Sequence, residues 1–532
     1  MFTRGIPHLS GSALDPANLA VPRPFDALQA ECAANVAEAM AAEDEFLSLS
    51  KRIADSDAYR QLQRRRRRQL ESFLWTDANQ ASLRRMLNLI CAICEELCWS
   101  ASDEFVDDPA HPEIDVQAAE TGMLLAWILR RHGARLKELN PRIPGMMLGE
   151  VRRRLLSPIC AHDDYAFMQG AGRCPALILC DLLTTCLLME RVPSRRLQPV
   201  RILLRLLDEA CARARGAGIP LQEKLTDACA VADLARLLKR VTRGELDFTR
   251  EAPPASWLDE IVISWAGEDM FFDPAGSGTY VKIAGMDVFR LGYMVKDRAL
   301  CAIGAQLERS RKCESRSVTG RVLSMEYMRA MQDETASPPR LKRAVNADAS
   351  LMVSRCGGFT ASICTGGSRS NAGDVSLLAG NQPILIDVGG NVHSLPTPDG
   401  RAVLVNPKRI PPLDSDFSDE RDILSAELTD IFPESFGVNA YQRTLMVMRL
   451  DGCVRLVDAM EFSRQPENVV FRFVTAPHPI PLRDRVLLGP VTLRWDGEMT
   501  ENVTEADGCH ILTLTMPHPP RRLICGFSFE MN

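Results

Sequence analysis

The stretch Gln332–Asp348, QDETASPPRLKRAVNAD, divides this chain into two kinds of sequence. It is polar and carries the pair Pro338-Pro339, so it reads as a linker. On its N-terminal side apolar residues recur every three to four positions, and on its C-terminal side every two. A period of 3.6 belongs to a helix with one buried face, and a period of two to a strand with one buried face.

Upstream, helix follows helix. The pattern predicts helices over 59–75, 82–99, 115–136, 144–159, 176–192, 201–216 and 224–242, each with an apolar stripe and a charged opposite face. Short Pro, Gly and Asp connections join them, as between packed antiparallel helices. Downstream, ASLMVSR, FTASICT, VSLLAG, PILIDVG, RTLMVMRL, CVRLVDAMEF, NVVFRFVTA, HILTLTM and RLICGFSFE are short strands separated by turn residues. Many strands with short turns imply an antiparallel sandwich of two sheets. The expected organisation is an all-helical domain over 1–335, a linker over 336–348 and a β-sandwich over 349–532.

With 532 residues, 46% of them apolar, the chain is too long for a single core. A net charge of −6 and a pI near 5.9 give no global reason to expect nucleic acid or an anionic membrane as partner. The run Arg64–Arg68 points to every side of a helix, which makes a solvated or salt-bridged surface its default reading and a polyanion contact the alternative. The N-terminal residues contain no apolar signal core, so a cytoplasmic location is expected. The most hydrophobic window, 175–189, is too short to span a bilayer and contains Asp181, so it reads as a buried helix. The 17 cysteines fall in apolar helical patterns and read as reduced core thiols. Cys91, Cys94 and Cys98 have a metal-like spacing but share one helix face with Ile90 and Leu97, which favours core packing over zinc.

One carboxylate stands out in the sandwich half. In GGSRSNAGDVSLLAGNQPILIDVG (366–389), an apolar strand ends in Asp387. Such an Asp is either a turn residue or a ligand held on a rigid element.

Motifs spread along most of the chain resemble those of the heparinase II/III family of polysaccharide lyases. LNLICAICEELCW (87–99) is similar to that family's Ile-x-x-Ile-Cys-Glu-Glu-x-x-Trp helix, and EIDVQAAETGMLLAW (113–127) to the pattern opening its next helix. VRRRLLSPICAHDDYAFMQG (151–170) looks like a stretch ending in Tyr-x-Trp-Met-Gly. The 366–389 segment looks like Gly-Gly, His-Asn-His-Asn-Asp-Val-Gly and a strand ending Pro-x-Leu-Ile-Asp-x-Gly. NVHSLPTPDG (391–400) resembles His-Asn-Leu-Pro-x-x-Asn-Gly. The resemblance implies an N-terminal (α/α) toroid followed by a C-terminal antiparallel β-sandwich, with the site in a groove between them. It also implies β-elimination next to a uronic acid. There the carboxylate is neutralised, Tyr and His move protons, and two His and one Asp hold a zinc.

Residue by residue, this resemblance is eroded. Aligned on Asp374, the His-Asn-His-Asn-Asp element reads Ser370-Asn371-Ala372-Gly373-Asp374, without either histidine. The Asn-Trp-Asn-Pro-Trp element reads Gly172-Arg173-Cys174-Pro175-Ala176. The element that supplies the tyrosine has Asp227 in its place. Asp387 and His393 match two metal ligands, but the third position is Ala372. The resemblance therefore implies a remnant site for zinc or another divalent cation, short of the three ligands such sites use.

Among eight histidines, His162 and His393 lie in segments that would line the implied cleft. His162 and Tyr165 either solvate a helix-terminal loop or replace the missing acid/base pair. Arg369 is either a turn residue or a bidentate partner for a substrate carboxylate, beside Asn371 and Asp374 as substrate-binding positions. Three functions remain open: a lyase with relocated groups, a non-catalytic carbohydrate-binding or regulatory descendant, and an interaction scaffold. The first two take an acidic oligosaccharide or polysaccharide as partner. The preferred expectation is a uronan-lyase fold with impaired or absent elimination activity.

Overall fold

The computed structural model describes residues 1–4, 14–19, 37, 56–76, 79–101, 106–213, 219–273, 281, 283–310, 315, 317–346, 350–365, 372–386, 395–401, 413–506 and 508–532. Within them the helical half comprises α1 (Ser56–Ser72), α2 (Gln80–Cys94), α3 (Val116–Leu139), α4 (Ile143–Val151), α5 (Pro158–Ala161), α6 (Pro175–Met189) and α7 (Pro193–Arg213). It continues with α8 (Leu221–Val241), α9 (Ala255–Ser264), α10 (Gly285–Val295), α11 (Arg298–Ser310), α12 (Val318–Ser324) and α13 (Met328–Gln332).

Capping side chains set several of the helix starts. Asn79 accepts the Ser82 N–H at 2.9 Å, and Asp115 accepts the Ala118 N–H at 2.8 Å. Helix α6 is buried from Ala176 to Met189, which explains why its sequence is apolar on every face.

Three helices differ from their periodicity, and the one expected over 82–99 ends at Cys94, which leaves Cys98 beyond it and not on its face. The segment expected as one helix over 144–159 is interrupted. Ser157 N–H reaches back to the Arg152 carbonyl at 2.8 Å, a single wide turn, because Pro158 has no N–H with which to continue the ladder. Helix α7, expected from 201, begins at Pro193 and passes through the buried Pro199. The Arg64–Arg68 run also divides. Arg64, Arg65 and Arg68 are exposed, while Arg66 and Arg67 turn inward. Arg67 grips buried Glu96 through two N–H···O contacts of 2.7 and 3.2 Å and donates to Thr121 Oγ1 at 2.7 Å.

The cysteines behave as core residues. Burial pushes the Cys94 thiol to about 12 and the Cys98 thiol to about 11, so neither offers a thiolate at neutral pH. Cys91, Cys94, Cys180 and Cys186 are free thiols.

A small hairpin, β1 (Trp265–Gly267) and β2 (Met270–Phe271), follows α9. Two- and three-residue strands with a register shift leave no alternation to read in the sequence. The chain then adds β3 (Arg343–Val345), within the expected linker, and the strands β4 (Leu351–Cys356), β5 (Phe359–Cys364), β6 (Asp374–Ala379), β7 (Gln382–Leu385) and β8 (Thr397–Pro398). Next come β9 (Asp414–Phe417), β10 (Arg421–Glu427), β11 (Val438–Met448), β12 (Cys453–Phe462) and β13 (Asn468–Thr475). The last six are β14 (Ile480–Leu482), β15 (Arg485–Leu488), β16 (Val491–Trp495), β17 (Thr500–Ala506), β18 (Cys509–Pro517) and β19 (Arg522–Met531).

One antiparallel sheet runs β14-β15-β16-β19-β12-β11-β10-β9 and the other β17-β18-β13-β7-β6-β5-β4-β3, with β8 pairing β13. The inner faces close over one core. In it Phe471 and Phe473 each meet Phe527 edge-on at 5.0 Å between ring centroids.

Strands β5 and β6 are buried along their whole length, and this fixes how the halves meet. Phe359, Ala361, Ile363, Val375 and Leu377 face the sandwich core. Leu351, Val353, Cys364 and Leu378 lie on the opposite face and pack against Ile263, Ala266 and Phe272 of the helical half. Arg355 adds polar contacts, donating to the carbonyl of Leu341 at 2.8 Å and to that of Trp265. No helix among the described residues is long and apolar enough to cross a membrane.

Candidate functional site

The two helical segments expected to supply the asparagine and the tyrosine lie against each other. Arg173 Nε and Glu223 Oε1 are 2.7 Å apart. Four residues further on, Asp227 Oδ1 accepts the N–H of Leu177 at 2.9 Å. Asp227 thus caps α6 from α8, and the Ala176 N–H reaches the same carboxyl group. The cap is needed because Cys174, which precedes α6, sits at φ +47° and supplies no side-chain acceptor, while Pro175 has no N–H. Burial pushes the Asp227 carboxyl up to about 7 in spite of the two backbone donors.

The loop after α5 holds His162 and Tyr165. Their ring centroids are 6.2 Å apart, and His111 lies nearer to both, at 4.4 Å from His162 and 4.7 Å from Tyr165. Tyr165 is buried and its hydroxyl donates to the Pro112 carbonyl at 3.0 Å. Burial pushes this phenol up to about 12, away from the range of a proton-abstracting phenolate at neutral pH. His162 Nε2 faces the Ala110 carbonyl at 3.0 Å. His111 Nε2 and Asp164 Oδ1 are 2.8 Å apart. That hydrogen bond raises the imidazole's pKa and lowers the carboxyl's.

On the sandwich side, Asp374 is the first residue of β6 and is buried. Its charge acts on Arg443, which is itself buried and clasps Asp458 at 2.7 and 2.9 Å while donating to the Gly373 carbonyl at 3.0 Å. Tyr441 donates to the same Asp458 at 2.8 Å. Ala372, at the position of the third expected zinc ligand, is buried in the sandwich core and offers no donor atom. The residues present there do not complete the implied zinc set. Arg369, Asn371, Asp387 and His393 lie outside the described residues.

The interior of the helical domain carries further acids. Asp181 accepts from Thr319 Oγ1 at 3.0 Å, and Glu120 accepts the Val318 N–H at 2.6 Å. Burial holds Asp181 well above the usual carboxylate range and Glu120 at about 7. These two bonds seat the start of α12 among α3 and α6. A small pocket lies beside it, lined by Trp127, Asp181, Asp233, Arg236, Arg240 and Glu326 among others.

No protein-family model matches the sequence, and a search of curated proteins finds no match. Solved structures do match. An X-ray structure of a mutant chondroitin AC lyase from Streptomyces coelicolor A3 aligns with a TM-score of 0.57 and 13% identity, covering 100% of this chain and 82% of that one. The fold is that of a polysaccharide lyase. A heparinase III structure with methylated lysines aligns at a TM-score of 0.40 and 7% identity, over 90% of each chain.

The sequence singled out His162 and Tyr165 but not His111, whose ring lies near both. The histidine lies 53 positions from Asp164, a separation with no motif spacing to signal it. The available hint was a polar loop, Asp107-Asp108-Pro109-Ala110-His111-Pro112, placed directly before a capped helix.

Proposed function

We propose that this chain is an acidic-polysaccharide-binding protein built on a lyase fold, in which β-elimination has been lost. The observation that carries the reading is Asp227. The position expected to present a proton-transferring tyrosine instead holds a carboxylate committed to capping α6. Its neighbour element is held by the Arg173–Glu223 ion pair. The chemistry of elimination needs a base that reaches the C5 proton, and a buried side chain bonded to backbone N–H groups is not free to do so. The fold it shares with chondroitin AC lyase supports a polysaccharide as the partner.

The competing reading, a working lyase with Tyr165 and His162 as relocated groups, requires the Tyr165 hydroxyl to leave the Pro112 carbonyl. It also requires a phenol whose pKa is about 12 to act as base.

The test is a pair of measurements on the full chain with chondroitin, heparan and alginate polymers. Binding by calorimetry without growth of unsaturated-uronide absorbance is the expected result. Unsaturated product at high protein concentration overturns the loss of elimination. Absence of binding to every uronan overturns the carbohydrate reading.

A further inference from the structure

Two of the eight histidines meet one aspartate at the surface of the helical domain. His111 comes from the loop before α3, and His162 and Asp164 from the loop after α5. One ligand atom from each lies within 4.8 Å of the other two, and this is the one such trio of His, Cys, Asp or Glu among the described residues. Two imidazoles and a carboxylate are borderline donors, suited to zinc and its divalent neighbours rather than to calcium or magnesium, which take oxygen ligands.

The surroundings resemble the supporting shell of a metal site. His162 Nε2 faces the Ala110 carbonyl at 3.0 Å. Donation of Nε2–H to that carbonyl fixes the neutral tautomer whose free lone pair is on Nδ1, the arrangement that orients a ligating histidine. The His111 ring lies on Tyr165 at 4.7 Å, and Tyr165 in turn stacks on Phe167 at 5.7 Å. The Tyr165 hydroxyl holds the carbonyl of Pro112, the residue next to His111, at 3.0 Å. Tyr165 is therefore a positioning residue that fixes both the ring and its loop on a buried aromatic base. Both histidines are partly exposed and Asp164 is exposed, so an ion has a path from solvent. Without an ion, Asp164 is satisfied by His111 at 2.8 Å. A cation entering between them takes the lone pair of His111 Nε2, whose proton moves to Nδ1 of a neutral ring or, from an imidazolium, is released to water.

We infer that His111, His162 and Asp164 form a divalent transition-metal site, taking zinc through two nitrogens and one oxygen with a coordination position left to solvent. It uses none of the residues of the remnant set expected at Asp387 and His393 and does not rest on the polysaccharide reading.

The experiment uses the full chain, stripped with chelator and dialysed, and titrated with Zn2+ by calorimetry and with Co2+ by visible absorption. Saturable binding is expected, with a cobalt spectrum lacking thiolate charge-transfer bands. His111→Ala, His162→Ala and Asp164→Asn should each weaken Zn2+ binding at least about tenfold, since even supporting residues of metal sites cost about that much. Asp164→Asn keeps the side-chain shape at an exposed position, so folding is preserved, and circular dichroism checks the other two. A His478→Ala/His510→Ala variant removes the other close histidine pair, 3.4 Å apart with no carboxylate in the group, and should bind as the parent does. Absence of saturable binding, or binding that survives all three ligand substitutions, overturns the inference. A thiolate-type cobalt spectrum does so as well, because it places the ion on cysteines.

Discussion

Asp227 on α8 caps helix α6 through the Leu177 N–H at 2.9 Å, at the position where the motif resemblance leads one to expect a tyrosine. The carboxylate there forms a joint between two helices. A capping carboxylate lies along the helix axis and is held there by several donors. Asp227 is itself almost completely enclosed.

Removing that cap should be costly. Asp227→Ala leaves the buried N–H groups of Ala176 and Leu177 without their acceptor, and the expected loss is about 1–3 kcal/mol. Asp227→Asn keeps one acceptor oxygen and should lose less. Denaturant unfolding of the three proteins orders them, and equal midpoints for parent and Asp227→Ala would contradict the capping role.

The same carboxyl makes stability depend on pH. Asp227 and Glu120 are both pushed up to about 7 in the folded chain, whereas unfolded carboxyls titrate near 4. Between those values the unfolded chain has released protons that the folded chain retains, so stability falls as pH rises through this window. Asp227→Asn removes one of these titrations. Its unfolding midpoint should decline less than the parent's between about pH 4 and about pH 7.

In the sandwich, Arg443 and Asp458 are a buried pair joined at 2.7 and 2.9 Å. Arg443→Met takes the guanidinium from the enclosed Asp458 and leaves it the Tyr441 hydroxyl as a donor, at an expected cost of about 3–5 kcal/mol. A chemical-denaturation curve measures it. A loss below about 1 kcal/mol would show that the pair is solvated in solution.

Helices α10 and α11 touch backbone to backbone. A Cβ on Gly304 would stand 2.3 Å from Phe289 N, and one on Gly285 would stand 2.6 Å from Glu308 N. Gly304→Ala must push the helices apart, and a destabilisation of about 1–3 kcal/mol is expected despite the better helix propensity of alanine. Thermal unfolding reads the sign directly.

Phe272 belongs to the small cluster that joins the halves. Phe272→Ala should cost about 3–5 kcal/mol by leaving a cavity there. Because the cavity lies between two separate cores, the unfolding transition should split in two, which differential scanning calorimetry resolves.

The change of apolar period at Gln332–Asp348 was enough to order helices before strands, because period reports which face of an element is buried, and burial is local to that element. The same locality marked α6 as a buried helix and the cysteines near α2 as core. It could not show that Pro199 lies inside a helix, nor that Arg66 and Arg67 turn inward to Glu96, since both depend on what the neighbouring helix presents. Nor could it distinguish the two apolar faces of β5 and β6, one closing the sandwich and the other meeting Phe272. For the candidate site the division is sharper. The motif resemblance located Asp227, His162 and Tyr165 as positions of interest, and the missing histidines were legible as absences. That Asp227 caps α6, that Tyr165 is bonded to Pro112, and that His111 closes on Asp164 across 53 positions were decided only by tertiary structure. Side-chain chemistry is written residue by residue, but the partner that gives it a role arrives from a distant segment when the helices pack.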